Sequence, residues 1–140
     1  MRHTAVVRLT ALRTAHPSAT IPPMSRTVLI VDDHPSFRAS ARAMLESEGF
    51  DVVGEAADGA SALQAIRTLA PDLVVLDVQL PDMSGFDVCE ELGTRDGTTD
   101  VILVSSRDVA DFGELVDTSC ARGFVPKGEL SGELVAALLA

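Results

Sequence analysis

From Thr27 onward, short apolar runs rich in β-branched residues alternate with longer stretches in which apolar residues recur at helical spacing. That alternation is the sign of βαβ units around a parallel sheet, and it limits the open folds to a few. Thr27-Val28-Leu29-Ile30-Val31 is apolar on both faces, as a central parallel strand covered by helices must be. Pro35 suits the first turn of a helix that presents Phe37, Ala41, Met44 and Leu45 on one face and stops at Gly49. Asp51–Gly54 predicts a weaker second strand, and Asp58 can cap a helix over Gly59–Leu69 with Ala62, Leu63, Ile66 and Leu69 inward. Leu73–Leu76 is the most apolar strand, closed by Asp77. A loop with Pro81 and Gly85 leads to a short helix carrying Phe86, Val88, Cys89 and Leu92. Val101–Val104, a helix over Asp108–Cys120 weakened by Gly113, the strand Gly123–Pro126 and a helix over Leu130–Leu139 complete five β–α pairs.

With 140 residues, 46% of them apolar, the chain can bury one core and not two. No apolar run approaches the roughly 20 residues that cross a bilayer. Arg2, Arg8, Arg13 and Arg26 precede the first acid, Asp32, beyond which 7 basic residues face 21 acidic ones. Such a surface is poor at releasing counterions from a duplex, so no direct nucleic-acid contact is expected. Residues 1–25 read as a disordered extension, upstream of a true start at Met24, and residues 26–140 as the folded domain. Cys89 and Cys120, far apart and without a CxxC pair, are expected to be reduced, packed thiols in a cytoplasmic protein.

In an open parallel sheet, ligands bind at the carboxyl ends of the strands, where strand order reverses. Asp32 and Asp33 follow the first strand, Asp77 the third, Ser105 and Ser106 the fourth, and Lys127 the fifth. Three carboxylates in one cleft repel one another, and a hard divalent cation with oxygen ligands relieves that repulsion, Mg²⁺ best and Mn²⁺ next. A cation beside an aspartate, with one ammonium and one hydroxyl, is the equipment for moving a phosphoryl group onto a carboxylate. Asp77 would attack in line while metal and ammonium neutralise the equatorial oxygens. Lys127 is the only lysine in the chain, so no other residue offers that compact charge; Arg107 offers a guanidinium. The competing readings are a structural cation site and a phosphatase of the haloacid dehalogenase type, which needs an acid where this chain has Gln79. His34 and Asp82 read most simply as a loop residue and a turn residue.

The runs Val28-Leu29-Ile30-Val31-Asp32-Asp33-His34-Pro35, Pro71-Asp72-Leu73-Val74-Val75-Leu76-Asp77, Leu80-Pro81-Asp82-Met83-Ser84-Gly85, Val101-Ile102-Leu103-Val104-Ser105-Ser106 and Gly123-Phe124-Val125-Pro126-Lys127 together resemble a bacterial response-regulator receiver domain. The flavour is that of the NarL/FixJ type within the CheY-like superfamily, over residues 27–139. The resemblance implies a single doubly wound, flavodoxin-like α/β domain of five parallel strands in the order 2-1-3-4-5. It implies that Asp77 is the phosphoacceptor, and that Asp32, Asp33, Asp77 and the backbone carbonyl of Gln79 hold Mg²⁺. Ser105 and Lys127 would contact the phosphoryl group, and Ser105 and Phe124 would form the switch. Gln79 and Arg107 would tune the lifetime of the acyl phosphate. The output face would be the fourth helix, the fifth strand and the last helix. Gly128 stands where many members have proline, so the loop after Lys127 is less constrained.

The resulting expectation is a stand-alone response regulator of a phosphorelay, with no turnover of an external substrate. A sensor histidine kinase or His-phosphotransfer protein would supply the phosphoryl group. A protein effector would receive the signal, and phosphorylation-dependent homodimerisation is left open. The alternative is a phosphorylation-independent binding module or a truncated transcriptional regulator.

Overall fold

The structure is a computed structural model that describes the backbone of Ala5 and Val6 and residues 26–93, 99–106, 112 and 120–139. Five strands, β1 (Thr27–Val31), β2 (Asp51–Ala56), β3 (Leu73–Asp77), β4 (Asp100–Ser105) and β5 (Gly123–Pro126), form a wholly parallel sheet in the order 2-1-3-4-5. The helices are α1 (Pro35–Ser47), α2 (Gly59–Leu69), α3 (Gly85–Gly93) and α4 (Gly132–Leu139), with a 3₁₀ turn at Lys127–Glu129. The helix expected over Asp108–Cys120, its soft point at Gly113 and the tuning residue Arg107 lie outside the described residues, apart from Phe112 and Cys120.

Alternate strand residues feed two cores, as covering a sheet on both faces requires. Leu29, Val31, Val74, Leu76, Val101, Leu103 and Phe124 pack with Ala62 and Ile66 of α2 and Val88 and Cys89 of α3. Val28, Ile30, Val75, Ile102, Val104 and Val125 pack with Ala41 and Leu45 of α1 and Leu134, Val135 and Leu138 of α4. Thr27 anchors the bottom of this stack: its N–H and hydroxyl donate to Asp72 Oδ2 at 2.8 and 3.1 Å, tying the start of β1 to the start of β3.

Several details depart from expectation. Leu69, expected to face inward, is 40% exposed at the end of α2, although its Cδ1 reaches the sheet at Gly54, 2.9 Å from where a Cβ there would stand. β2 runs two residues beyond Gly54, since a register shift between Val28 and Leu29 lets it follow β1 to its end. The last helix starts at Gly132 rather than Leu130, because Leu130 is extended (ψ 129°) after the 3₁₀ turn and the Ser131 hydroxyl accepts from the Leu134 N–H at 3.1 Å, capping the helix one residue before Gly132. Ala5–Val6 pair in parallel with Gly123–Phe124 as a two-residue sixth strand at the β5 edge, which a disordered tail did not provide for.

The two cysteines are also not free thiols. Cys89 and Cys120, 31 residues apart in sequence, have Cα atoms 5.6 Å apart and form a disulfide. Sequence spacing carried no sign of this, because the proximity arises from α3 lying over the sheet beside the chain that enters β5.

Candidate functional site

The first side chains past the sheet's carboxyl edge belong to Asp32, directly after β1, and Asp77, the last residue of β3. β1 and β3 are neighbours, so the two carboxylates share one cleft, and both residues are buried, at 0% and 3% exposure. Asp33 stands at the mouth, exposed. One ligand atom from each of Asp32, Asp33, His34 and Asp77 falls within 4.8 Å of the others. Two of the three expected metal-binding acids are therefore deep and one is accessible, which suits entry of a cation from solvent.

Lys127 reaches this cleft from the end of β5 with its side chain only 16% exposed. Its Nζ stands 2.7 Å from Asp32 Oδ2 and 3.4 Å from Asp77 Oδ2. The Asp32 oxygen receives no hydrogen bond of good geometry. Its compensation is the charge of the ammonium alone, an arrangement a divalent cation would improve. Such a donor set of hard carboxylate oxygens fits Mg²⁺.

Burial, and next the negative charge of Asp32, push the Asp77 carboxyl up to about 6, while Lys127 and the Gln79 N–H pull it down. The Gln79 N–H donates to Asp77 Oδ1 at 3.2 Å and holds the carboxylate from the loop side. Ser105 ends β4, is buried, and lies one residue past the Val104 that pairs with Asp77. Phe124 is fully buried in β5 and stacks on Phe112 at 5.8 Å, which in turn stacks on Phe86 of α3 at 5.7 Å. Gly128 lies in the 3₁₀ turn, where an added Cβ would meet nothing within 4 Å.

The loop after β3 closes tightly. The Gly85 N–H donates to the Val78 carbonyl at 2.6 Å, and a Cβ on Gly85 would run into the backbone carbonyl of Asp77. Only glycine lets α3 begin so close to the end of β3.

Several supports escaped sequence reasoning. Asp82, read as a turn residue, accepts from the N–H groups of Gly59 and Ala60 at 2.7 and 3.0 Å. Together with Asp58, which accepts from the Ser61 N–H at 2.8 Å, it satisfies the orphan donors at the start of α2. The Gly59 N–H in particular holds the Asp82 carboxyl below its usual range. Arg38 donates to the Asp32 carbonyl at 2.7 Å and pairs with Glu55 at 2.9 Å, bracing the turn that carries the acid pair. Phe37 lies under the Lys127 ammonium, 4.8 Å from Nζ to ring centroid, a cation–π contact. His34, read as a loop residue, places Nδ1 3.1 Å from Asp32 Oδ1 and 3.2 Å from Asp33 Oδ1. A local signal existed for His34 alone, which follows directly on the acid pair; the others depend on loops meeting in space.

Residues 28–139 match the family model for the response regulator receiver domain. The chain is 35% identical over 110 residues to the DNA-binding transcriptional activator EvgA of Escherichia coli K12, a match over 79% of this chain and 54% of that protein. It thus spans about half the length of the curated relatives it matches. Among solved structures, a signal receiver domain from Mycobacterium tuberculosis superposes with a TM-score of 0.76 at 36% identity, covering 84% of this chain and 95% of that one. A two-component response regulator of the LuxR family from Aurantimonas sp. SI85-9A1 gives 0.74 at 31% identity, covering 83% and 84%. Sheet order, the acid cleft and these matches agree, and the chain belongs to the response regulator receiver domain family.

Proposed function

We propose that Asp77 accepts a phosphoryl group from a phosphohistidine on a sensor kinase or phosphotransfer protein in the cytoplasm. The observation that carries this is the Lys127 ammonium placed between Asp32 and Asp77 in the cleft that Asp33 opens to solvent. The Asp77 carboxylate oxygen forms the new O–P bond as the N–P bond of the donor breaks, leaving an acyl phosphate here and a histidine there. At pH 7 a carboxyl near 6 is mostly ionised and so nucleophilic. Lys127 offsets the charge of the phosphoryl oxygens at no reorganisation cost, since it already stands at the acceptor. Ser105 donates its hydroxyl to a phosphoryl oxygen. When bound, Mg²⁺ supplies charge neutralisation among the carboxylates and the phosphoryl oxygens, held by Asp32, Asp33, Asp77 and the Gln79 carbonyl. Gln79, exposed beside Asp77, and Arg107 set access of hydrolytic water to the acyl phosphate.

The switch couples this charge change to Phe124. Movement of Ser105 toward the phosphoryl group alters the space beside Phe124 and shifts the population of β5-edge conformations that protein partners read. The chemistry is self-modification rather than turnover of an external substrate. Incubation with Mg²⁺ and acetyl phosphate should add one phosphoryl group, labile to hydroxylamine as an acyl phosphate is. A stable adduct, or none, would count against the proposal.

A further inference from the structure

Phosphoryl chemistry makes no use of the Cys89–Cys120 disulfide, yet the bond joins the two elements on which signalling depends. Cys89 is fully buried in α3, the helix that starts at Gly85 against the acceptor loop. Cys120 is partly buried, three residues before β5, and its N–H points at Cys89 Sγ at 3.2 Å. β5 in turn carries Phe124 and delivers Lys127. Among the described residues, this is the only covalent bridge between the acceptor side and the switch side. The ring stack Phe86–Phe112–Phe124 joins the same two elements by packing alone.

We propose that Cys89–Cys120 is a reversible redox site, exchanging with small-molecule thiols, that sets how firmly β5 is coupled to the acceptor loop. The functional consequence rests on the receiver reading above; the redox site itself does not. Attack must come at Cys120, since Cys89 Sγ is walled in by α3 and the sheet. A thiolate bonds to Cys120 sulfur, the intramolecular S–S bond breaks, and Cys89 leaves as a thiolate and takes up a proton. A second thiol attacks the mixed disulfide and releases Cys120. Two electrons and two protons pass to the protein as two external thiols become one disulfide, and the reverse sequence reoxidises the pair. In compartments rich in glutathione, disulfides that persist are characteristically redox-sensing rather than structural. Oxidation fixes the chain entering β5 to α3; reduction leaves packing, the ring contacts included, to hold it.

The full chain is equilibrated with glutathione disulfide or with dithiothreitol and read in three ways. Iodoacetamide should label no cysteine in the oxidised form and two in the reduced, unfolded form. Hydrogen exchange at the β5 amides should be about tenfold faster after reduction, the cross-link no longer limiting local opening. Acetyl phosphate labelling should proceed at different rates in the two forms. Cys120→Ser, and separately Cys89→Ala, each left with one cysteine, should show the β5 exchange and the acetyl phosphate labelling rate of the reduced form under both conditions. Two reactive thiols after glutathione disulfide treatment would overturn the proposal. So would a disulfide whose reduction leaves β5 exchange unchanged. If neither form takes up phosphoryl groups while exchange still responds, the phosphoacceptor reading fails and the redox site stands.

Discussion

The Asp77 carboxyl is held near 6 by burial and by Asp32, so its ionised form is disfavoured in the folded protein. Its linkage to stability has a definite sign. Between roughly pH 4 and pH 6 the folded chain binds a proton there that the unfolded chain has lost, so stability falls as pH rises through that window and stays lower above it. Asp77→Asn should therefore raise the unfolding free energy, by up to about 3 kcal/mol at pH 7.5 in EDTA. The gain should vanish below pH 4. Thermal melts of both proteins across that range provide the check, and a gain that does not depend on pH would contradict it. Asp32, Asp77 and Lys127 were legible because strand ends in a parallel sheet converge, making position in sequence a proxy for position in space. Phe37 beneath Lys127 and Arg38 on the Asp32 carbonyl were not, since a helix periodicity assigns a face but not what the tip of a side chain meets across a turn.

At the scale of elements, the loop after β3 is shaped by backbone proximity. Gly85→Ala should cost about 1–3 kcal/mol, because the methyl group meets the fixed carbonyl of Asp77 rather than a flexible side chain. Chemical denaturation of the variant measures the loss, and an unchanged midpoint would mean that α3 can shift away from β3. The Cys89–Cys120 link closes a loop with a sequence separation of 31 residues, so reduction should lower the unfolding free energy by about 3–4 kcal/mol through the freed unfolded chain. Denaturation with and without dithiothreitol tests this. Helix and strand types followed from periodicity and turn residues. The disulfide did not, because nothing in two lone cysteines says which elements will be stacked. The two-residue shift in the start of α4 turns on Ser131, whose hydroxyl caps the helix; the apolar spacing that begins at Leu130 outweighed that cap signal in the sequence.

Across the whole molecule, five parallel strands bring three carboxylates to one edge of a chain with formal net charge −10. Global stability should respond to a cation that binds only the assembled site. Mg²⁺ at a hundredfold excess over its dissociation constant should add about 2.7 kcal/mol, and Asp33→Ala should remove most of that gain. Thermal melts against Mg²⁺ concentration give the answer, and an identical response in the variant would place the ion elsewhere. The parallel sheet was readable from β–α alternation and its order from the family resemblance, whereas the two-residue pairing of Ala5–Val6 with β5 is too short to leave a pattern. The most direct test of the central claim is intact-mass measurement after exposure to phosphoramidate and Mg²⁺, with tandem fragmentation to locate the adduct. The account predicts one phosphoryl group on Asp77 in the native chain and none in Asp77→Asn. An unmodified native chain, or an equal adduct in Asp77→Asn, would contradict it.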